Sequence, residues 1–227
     1  YIASHDGFTL FDLNNFNHKS SSTLGGSDWE ISSDYGNDSY KRENAIRKEL
    51  ALLFLSYGTP MIQIGDIIMH TKNGNNNSYN KDDGTNYLNW EKAIRKDTFE
   101  NRIMEYTRNL IKFRYENPIF TSEEFRNSLS FCYDNGQLAD TNNEKYWNNP
   151  LESFFGFIIN SSPRRILVAI SKNDNKLNML LPKNKEGMGW HVCADSSIFS
   201  HISLQTKDYI EKNYILNPQA LVIFMEK

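Results

Sequence analysis

Tyr1–Leu10 reads YIASHDGFTL: a short apolar run that ends in an adjacent imidazole and carboxylate, His5-Asp6, and then Gly7. Apolar residues with polar groups at their tip describe a buried strand that delivers functional side chains at its end. A mature N-terminus is usually polar and loosely tied, so this opening reads as a chain entered in mid-fold.

Outward from that strand, residues 14–40 are rich in Ser, Asn, Gly and Asp with no apolar period, which marks a long surface loop. Loops of that length inside a domain are usually functional. From Lys41 the pattern changes, with Ile46, Leu50, Leu53 and Tyr57 at helical spacing and Gly58 as the stop. Thr59-Pro60 breaks the helix, and MIQIG at 61–65 reads as a second buried strand ending at Gly65-Asp66. A second polar loop, 70–97, leads to a helix marked by Phe99, Ile103, Tyr106, Leu110 and Phe113 and closed by Asn117-Pro118. Strand, long loop, helix, repeated once, predicts a parallel α/β layout in which the loops after the strands carry function. Two such units cannot close an eight-unit barrel, so residues 1–122 are expected to be the last part of a (β/α)8 TIM barrel.

Beyond that the character changes. Residues 129–133, 154–159, 166–170, 177–181, 190–194 and 221–225 are short runs of β-branched, aromatic and aliphatic residues, most of them separated by Asn, Gly, Asp or Pro clusters. They predict an all-β antiparallel sandwich over 123–227, with Lys172-Asn173-Asp174-Asn175 as a hairpin turn between two strands.

The 227 residues are 39% hydrophobic and 13% aromatic, enough for a real core. The net charge is −3 and Lys and Arg are scattered among acids, so no basic face offers itself to nucleic acid. No apolar run approaches the roughly 20 residues that span a bilayer, and no basic-then-apolar signal leads the chain. The expectation is a cytoplasmic or plastid protein, not evidently secreted, with no membrane partner. Sequons at Asn37, Asn76 and Asn160 are weak evidence for secretion in so Asn-rich a chain. Cys132 and Cys193 make neither a disulfide framework nor a metal pair, and His18, His191 and His201 lack ligand spacing, so no metal and no cofactor is expected.

His5-Asp6 is the first candidate for chemistry. A carboxylate beside an imidazole can accept from and donate to neighbouring sugar hydroxyls, and a fixed carboxylate steadies positive charge developing at an anomeric carbon. The plainer reading is a polar pair that caps a loop. Trp29, Tyr79, Tyr87 and Trp90 stand in loops, where flat apolar faces ringed by polar groups suit pyranose rings, and Asn75, Asn76 and Asn77 offer paired donors and acceptors. Equally, the aromatics could pin loops and the asparagines make turns. His70 could line a cleft or sit in solvent, whereas Phe99, Tyr106 and Phe113 are helix-face core.

The stretch YIASHDGFTLFDLNNFNHK resembles the segment after the seventh barrel strand of the α-amylase superfamily, and its HDGxTLxDL run resembles the isoamylase and glycogen-debranching branch. LFLSYGTPMIQIGD is similar to that branch's helix-seven to strand-eight segment, HTKNGNNNSYNKDD with the following NYLNW to its Gly-Asn-Asn-Asn-x-Tyr loop, and IKFRYENPIF to its last barrel helix. In the second half, LLPKNKEGMGWHVCADSS resembles a terminal-domain hairpin and YILNPQALVIF the final strand. The resemblance covers nearly the whole chain in the family's order.

It implies a debranching glycoside hydrolase that cleaves α-1,6 branch points of amylopectin or glycogen by retaining double displacement. It makes Asp6 a transition-state stabiliser and His5 a hydroxyl-binding residue, with Asn77, Tyr79, Trp29, Tyr87 and Trp90 as further substrate-binding candidates. The family's nucleophilic Asp and acid/base Glu lie on earlier strands, absent from this stretch, so residues 1–227 alone are expected to be inactive. Two departures bear on loop shape: Asp66 is followed by Ile67-Ile68-Met69, and SSSTLGGSDWEISSDYG keeps a Trp but lacks the family's Asn-Tyr-Ser-Trp-Asn-Cys-Gly run. A second reading is a non-catalytic isoamylase-like subunit that binds glucan and supports an active partner. Association with itself or with other isoamylase-type subunits is left open.

Overall fold

The helix from Ser39 to Leu55 starts where Asp38 accepts the Lys41 N–H at 2.9 Å, a side-chain cap for an otherwise orphan donor. Its apolar stripe of Ile46, Leu50, Ala51 and Phe54 is buried. In the computed structural model, which describes residues 2–21, 25–199 and 209–227, this is α2. It follows a one-turn helix, α1 (Leu10–Leu13), capped by the Thr9 hydroxyl. A short α3 (Trp90–Ile94) and a long α4 (Phe99–Glu116) come next. The chain divides into two compact units, Tyr1–Arg114 and Tyr115–Lys227.

In the first unit α2 and α4 are joined by charge as well as by apolar contact. Glu43 is buried on α2 and accepts from Arg47 one turn on and from Arg102 of α4, at 2.8 and 2.6 Å. Arg47 is itself buried and lies over the Tyr106 ring at 5.0 Å. Arg114 donates to the carbonyls of Phe54 and Ser56, at 2.7 and 2.8 Å, and to that of Gly58. The Phe54 contact satisfies one carbonyl that the end of α2 leaves open, the others hold the segment that follows, and α2 stops at Leu55. Tyr57, expected on the helix face, therefore lies beyond it and is exposed.

Neither expected strand of this unit forms. Residues 2–4 and 61–65 carry no β-ladder, and Ile64-Gly65 is already a turn, with Gly65 at φ +100°. Apolar alternation marks what can be buried, but a strand also needs a neighbour that exchanges backbone hydrogen bonds. Here Asp66 takes the Gln63 and Leu10 N–H groups on its carboxylate, at 3.1 and 3.0 Å, in place of a ladder. Among the described residues the unit is helices and loops with no β-ladder. Tyr1 lies outside the described residues.

The second unit is antiparallel throughout. Strands β1 (Leu129–Cys132), β2 (Phe154–Ile159), β3 (Ile166–Ser171), β5 (Trp190–Asp195), β6 (Tyr209–Ile210) and β8 (Leu221–Glu226) form one sheet in the order β1-β2-β3-β8-β5-β6. Strands β4 (Leu177–Leu180) and β7 (Asn213–Leu216) form a second. Met179 of β4 and Leu216 of β7 share one buried cluster with Phe154, Ile158, Leu167, Trp190 and Phe224 from the larger sheet.

That two-sheet arrangement corrects three expectations. Lys172–Asn175 is not a hairpin turn: β3 pairs with β2 and β8, β4 pairs with β7, and the turn passes from one sheet to the other. The 180–197 segment likewise links β4 and β5 in different sheets rather than closing a hairpin. YILNPQALVIF is two strands, because Pro218 has no N–H to give a ladder and Gln219 turns the chain at φ +56°. Turn chemistry marks where a chain changes direction and is silent on which strand it meets next.

Candidate functional site

His5 and Asp6 stand on a tight bend ahead of α1, with His5 Nε2 and Asp6 Oδ2 3.2 Å apart and both side chains more than 80% exposed. The bend is held through its backbone. Ser4 Oγ donates to the Asp6 carbonyl at 2.9 Å, and the Gly7 N–H donates to the Asn76 carbonyl at 3.2 Å. Gly7 sits at φ +99°, where a Cβ would also lie 3.4 Å from the Glu30 carboxylate. The Gln63 amide, oriented by its neighbours, donates to the Ser4 carbonyl at 3.1 Å and accepts from Lys72 Nζ at 3.1 Å.

Below the bend lies a buried polar layer. Asp12 accepts from the Thr71 hydroxyl at 2.5 Å and from the Lys72 N–H at 2.8 Å. Burial pushes the Asp12 and Asp66 carboxyls up, with hydrogen bonds opposing the shift. Burial also pulls the Lys72 ammonium down, against the attraction of Asp66, Asp12 and Asp6.

The Asn loop meets the Trp29 loop. Asn76 is buried, and its Nδ2 donates to the Ser27 carbonyl and to Glu30, both at 2.8 Å. Asn77 lies against Gly25 and Gly26, its own N–H turned onto Asn75 Oδ1 at 2.9 Å, so it also serves as a turn residue. Trp29 and Tyr79 are 89% and 85% exposed, free to offer ring faces. Tyr87 is exposed and its hydroxyl donates to Asp82 within its own loop. Trp90 opens α3 with its side chain exposed. His70 is half-buried and bonded to the Thr85 carbonyl at 3.0 Å, and burial lowers its pKa.

Among the described residues no group of three or more His, Cys, Asp or Glu could hold a metal, and no helix is long and apolar enough to cross a membrane. His201 lies outside the described residues. Both thiols are buried and free, pushed up to about 12 for Cys132 and about 11 for Cys193. The sequence reading missed Glu30, Gln63 and Lys72. No motif singles them out, since their roles arise from contacts across tens of residues. Asp12 did carry a signal, as the second Asp of the HDGxTLxDL run.

No protein-family profile matches the chain. It is 37% identical over 222 residues to an isoamylase of Flavobacterium sp, an alignment covering 88% of this chain and 28% of that protein. It is 30% identical over 201 residues to a glycogen debranching enzyme of Yersinia pseudotuberculosis, covering 81% of this chain and 28% of that one. Its fold matches 27% of a Bacillus subtilis type I pullulanase solved with maltose, over 99% of this chain, at TM-score 0.68 and 21% identity. The sequence matches make the chain a fragment-length relative of proteins of the α-amylase superfamily. Within that superfamily it is a homologue of the isoamylases and glycogen debranching enzymes, and it spans little more than a quarter of the relatives it matches.

Proposed function

We propose that the chain is the part of a debranching glycoside hydrolase that supplies the third carboxylate, Asp6, and the loops that grip the glucan. The observation that carries this reading is the exposed His5–Asp6 pair, 3.2 Å apart, held from its backbone beside the exposed Trp29 loop in a chain homologous to isoamylase. In that role Asp6 and His5 bind adjacent hydroxyls of the sugar at the branch point, and Asp6 steadies the positive charge that develops there. Trp29 and Tyr79 stack on glucose rings, with Asn77, Tyr87 and Trp90 completing the contacts. Retaining hydrolysis needs two further carboxyl groups about 5 Å apart across the scissile bond, a nucleophile and an acid/base. Those come from sequence outside residues 1–227, on the earlier strands of a (β/α)8 barrel whose last units are residues 1–122. Exposed Met61 and Ile64 beside the Asp66 turn are consistent with a face that further barrel strands cover.

The substrate is a branched α-glucan, in keeping with relatives named for isoamylase and glycogen debranching and a structural neighbour solved with maltose. The enzyme containing this chain releases linear chains from amylopectin or glycogen, and Asp6→Asn abolishes that release while leaving thermal unfolding unchanged. A near-normal rate in Asp6→Asn overturns the role of Asp6. Glucan binding without any release, in the unaltered protein, favours the supporting-subunit reading instead.

A further inference from the structure

Asp6 has an exposed side chain, so whatever fixes its direction must act through the backbone of its bend. On the C-terminal side that hold is Asn76, whose carbonyl accepts the N–H of Gly7, the residue next to Asp6, at 3.2 Å. Asn76 is only 5% exposed, and its side chain reaches the other way, donating from Nδ2 to Ser27 and Glu30 on either side of Trp29. Glu30 closes the arrangement, since its carboxylate lies 3.4 Å from where a Cβ on Gly7 would be. One buried residue therefore touches both the bend that carries His5–Asp6 and the loop that carries Trp29.

The orientation of that amide is settled by its neighbours, because both acceptors face Nδ2 and turning it over would set oxygen against oxygen. The consequence is that Oδ1 lies beside Gly26, buried, with no hydrogen-bond partner among the described residues. Nδ2 meets two acceptors on the Trp29 loop that an apolar side chain would leave unsatisfied, so the side chain ties that loop to the backbone that holds the bend. We propose that Asn76, anchored by Glu30, is a positioning residue that holds the His5–Asp6 bend in register with the Trp29 loop. The proposal rests on the reading of that bend as the sugar-binding site.

A polarity-swap cycle tests it in the enzyme containing this chain, with two readouts: hydrogen exchange at the Gly7 amide, and kcat against KM for debranching of amylopectin. Asn76→Asp sets a carboxylate against Glu30 and Ser27, Glu30→Gln keeps an acceptor for Asn76, and the double variant lets the new amide donate to the new carboxylate. Asn76→Asp is expected to speed Gly7 exchange about ten-fold and to lower kcat roughly ten- to a hundred-fold with KM nearly constant. Glu30→Gln stays near the unaltered enzyme, and the double variant recovers most of both losses. If Asn76→Asp does not fold, Glu30→Ala, which removes only the anchor, is expected to shift both readouts in the same direction by less. Unchanged Gly7 exchange in Asn76→Asp, or no recovery in the double variant, overturns the proposal. Exchange that follows the cycle while kcat does not makes Asn76 merely structural, which also overturns it. An unaltered enzyme with no debranching activity defeats the functional reading instead, and the exchange cycle then decides by itself whether Asn76 holds the bend.

Discussion

The carboxylate of Asp12 accepts the backbone N–H of Lys72 at 2.8 Å and so ties α1, which follows the His5–Asp6 bend, to the loop that carries the three asparagines. The same carboxylate takes the Thr71 hydroxyl at 2.5 Å and the Gly74 N–H at 3.4 Å. Both oxygens are used, and the group is fully buried.

Asp12→Ala leaves those donors without an acceptor and is expected to cost about 2–4 kcal/mol in urea denaturation. Asp12→Asn should cost distinctly less. Its oxygen can keep the two N–H groups and its nitrogen can donate to the Thr71 hydroxyl, which rotates to accept. Equal losses in the two variants would show that charge, not donor satisfaction, is what matters there.

Glu43 compensates Arg47 inside the α2–α4 contact, where both are 2% exposed. Removing the acid strands a buried guanidinium, so Glu43→Ala is expected to lose about 3–5 kcal/mol by chemical denaturation. Arg102→Ala removes only the more exposed partner and should lose far less.

Glu49 predicts a pH dependence. Burial raises its carboxyl from 4.5 to about 7, against the Asn14 amide at 2.8 Å and the Lys48 charge. The folded chain thus holds this proton more tightly than the unfolded one. Its contribution to stability is full below pH 4.5, falls as pH rises, and is gone above about 7. Glu49→Gln is neutral throughout and still accepts from Asn14. It should match the unaltered protein near pH 4 and exceed it near pH 8 by about 1–2 kcal/mol, allowing for partial solvent access. A Gln variant no more stable than the unaltered protein at the higher pH would show that Glu49 is not titrating there.

Trp29 and Trp190 should separate binding from folding. Trp29 is 89% exposed, so Trp29→Ala is expected to weaken maltotetraose binding by about 1 kcal/mol, roughly five-fold, without moving the unfolding midpoint. Trp190 is fully buried, donates from Nε1 to the Pro182 carbonyl at 2.7 Å and lies under Arg165 at 5.2 Å. Trp190→Ala should cost about 3–5 kcal/mol of stability. Calorimetric titration and thermal denaturation of the two variants check both halves.

The two long helices were legible because their apolar stripes repeat at the helical period and breakers follow them, Thr59-Pro60 after α2 and Asn117-Pro118 after α4. Six of the eight strands among the described residues were legible for the matching reason, as bounded runs of β-branched and aromatic residues. The other two are short: β6 is two residues long, and β7, four residues long, reads together with β8 as one strand because the Pro218-Gln219 break lies inside a single apolar run. The strands expected at 1–4 and 61–65 are apolar, but their described residues have no ladder, since burial and pairing are separate conditions.

By itself the sequence determined what is written in neighbouring residues: the helix periods, the antiparallel-type strand runs, and the ordered motifs around His5-Asp6 and Asn75–Asn77 that carry the family likeness. Only the tertiary structure decided which strand pairs with which, so that β3 and β4 part into separate sheets. It also decided how the bend is held, through Asn76, Glu30, Gln63 and Lys72. The physical reason is range. Propensity and capping act over three or four residues and leave a trace in local order, whereas a buried acceptor met by a donor sixty positions away leaves none until the chain has folded.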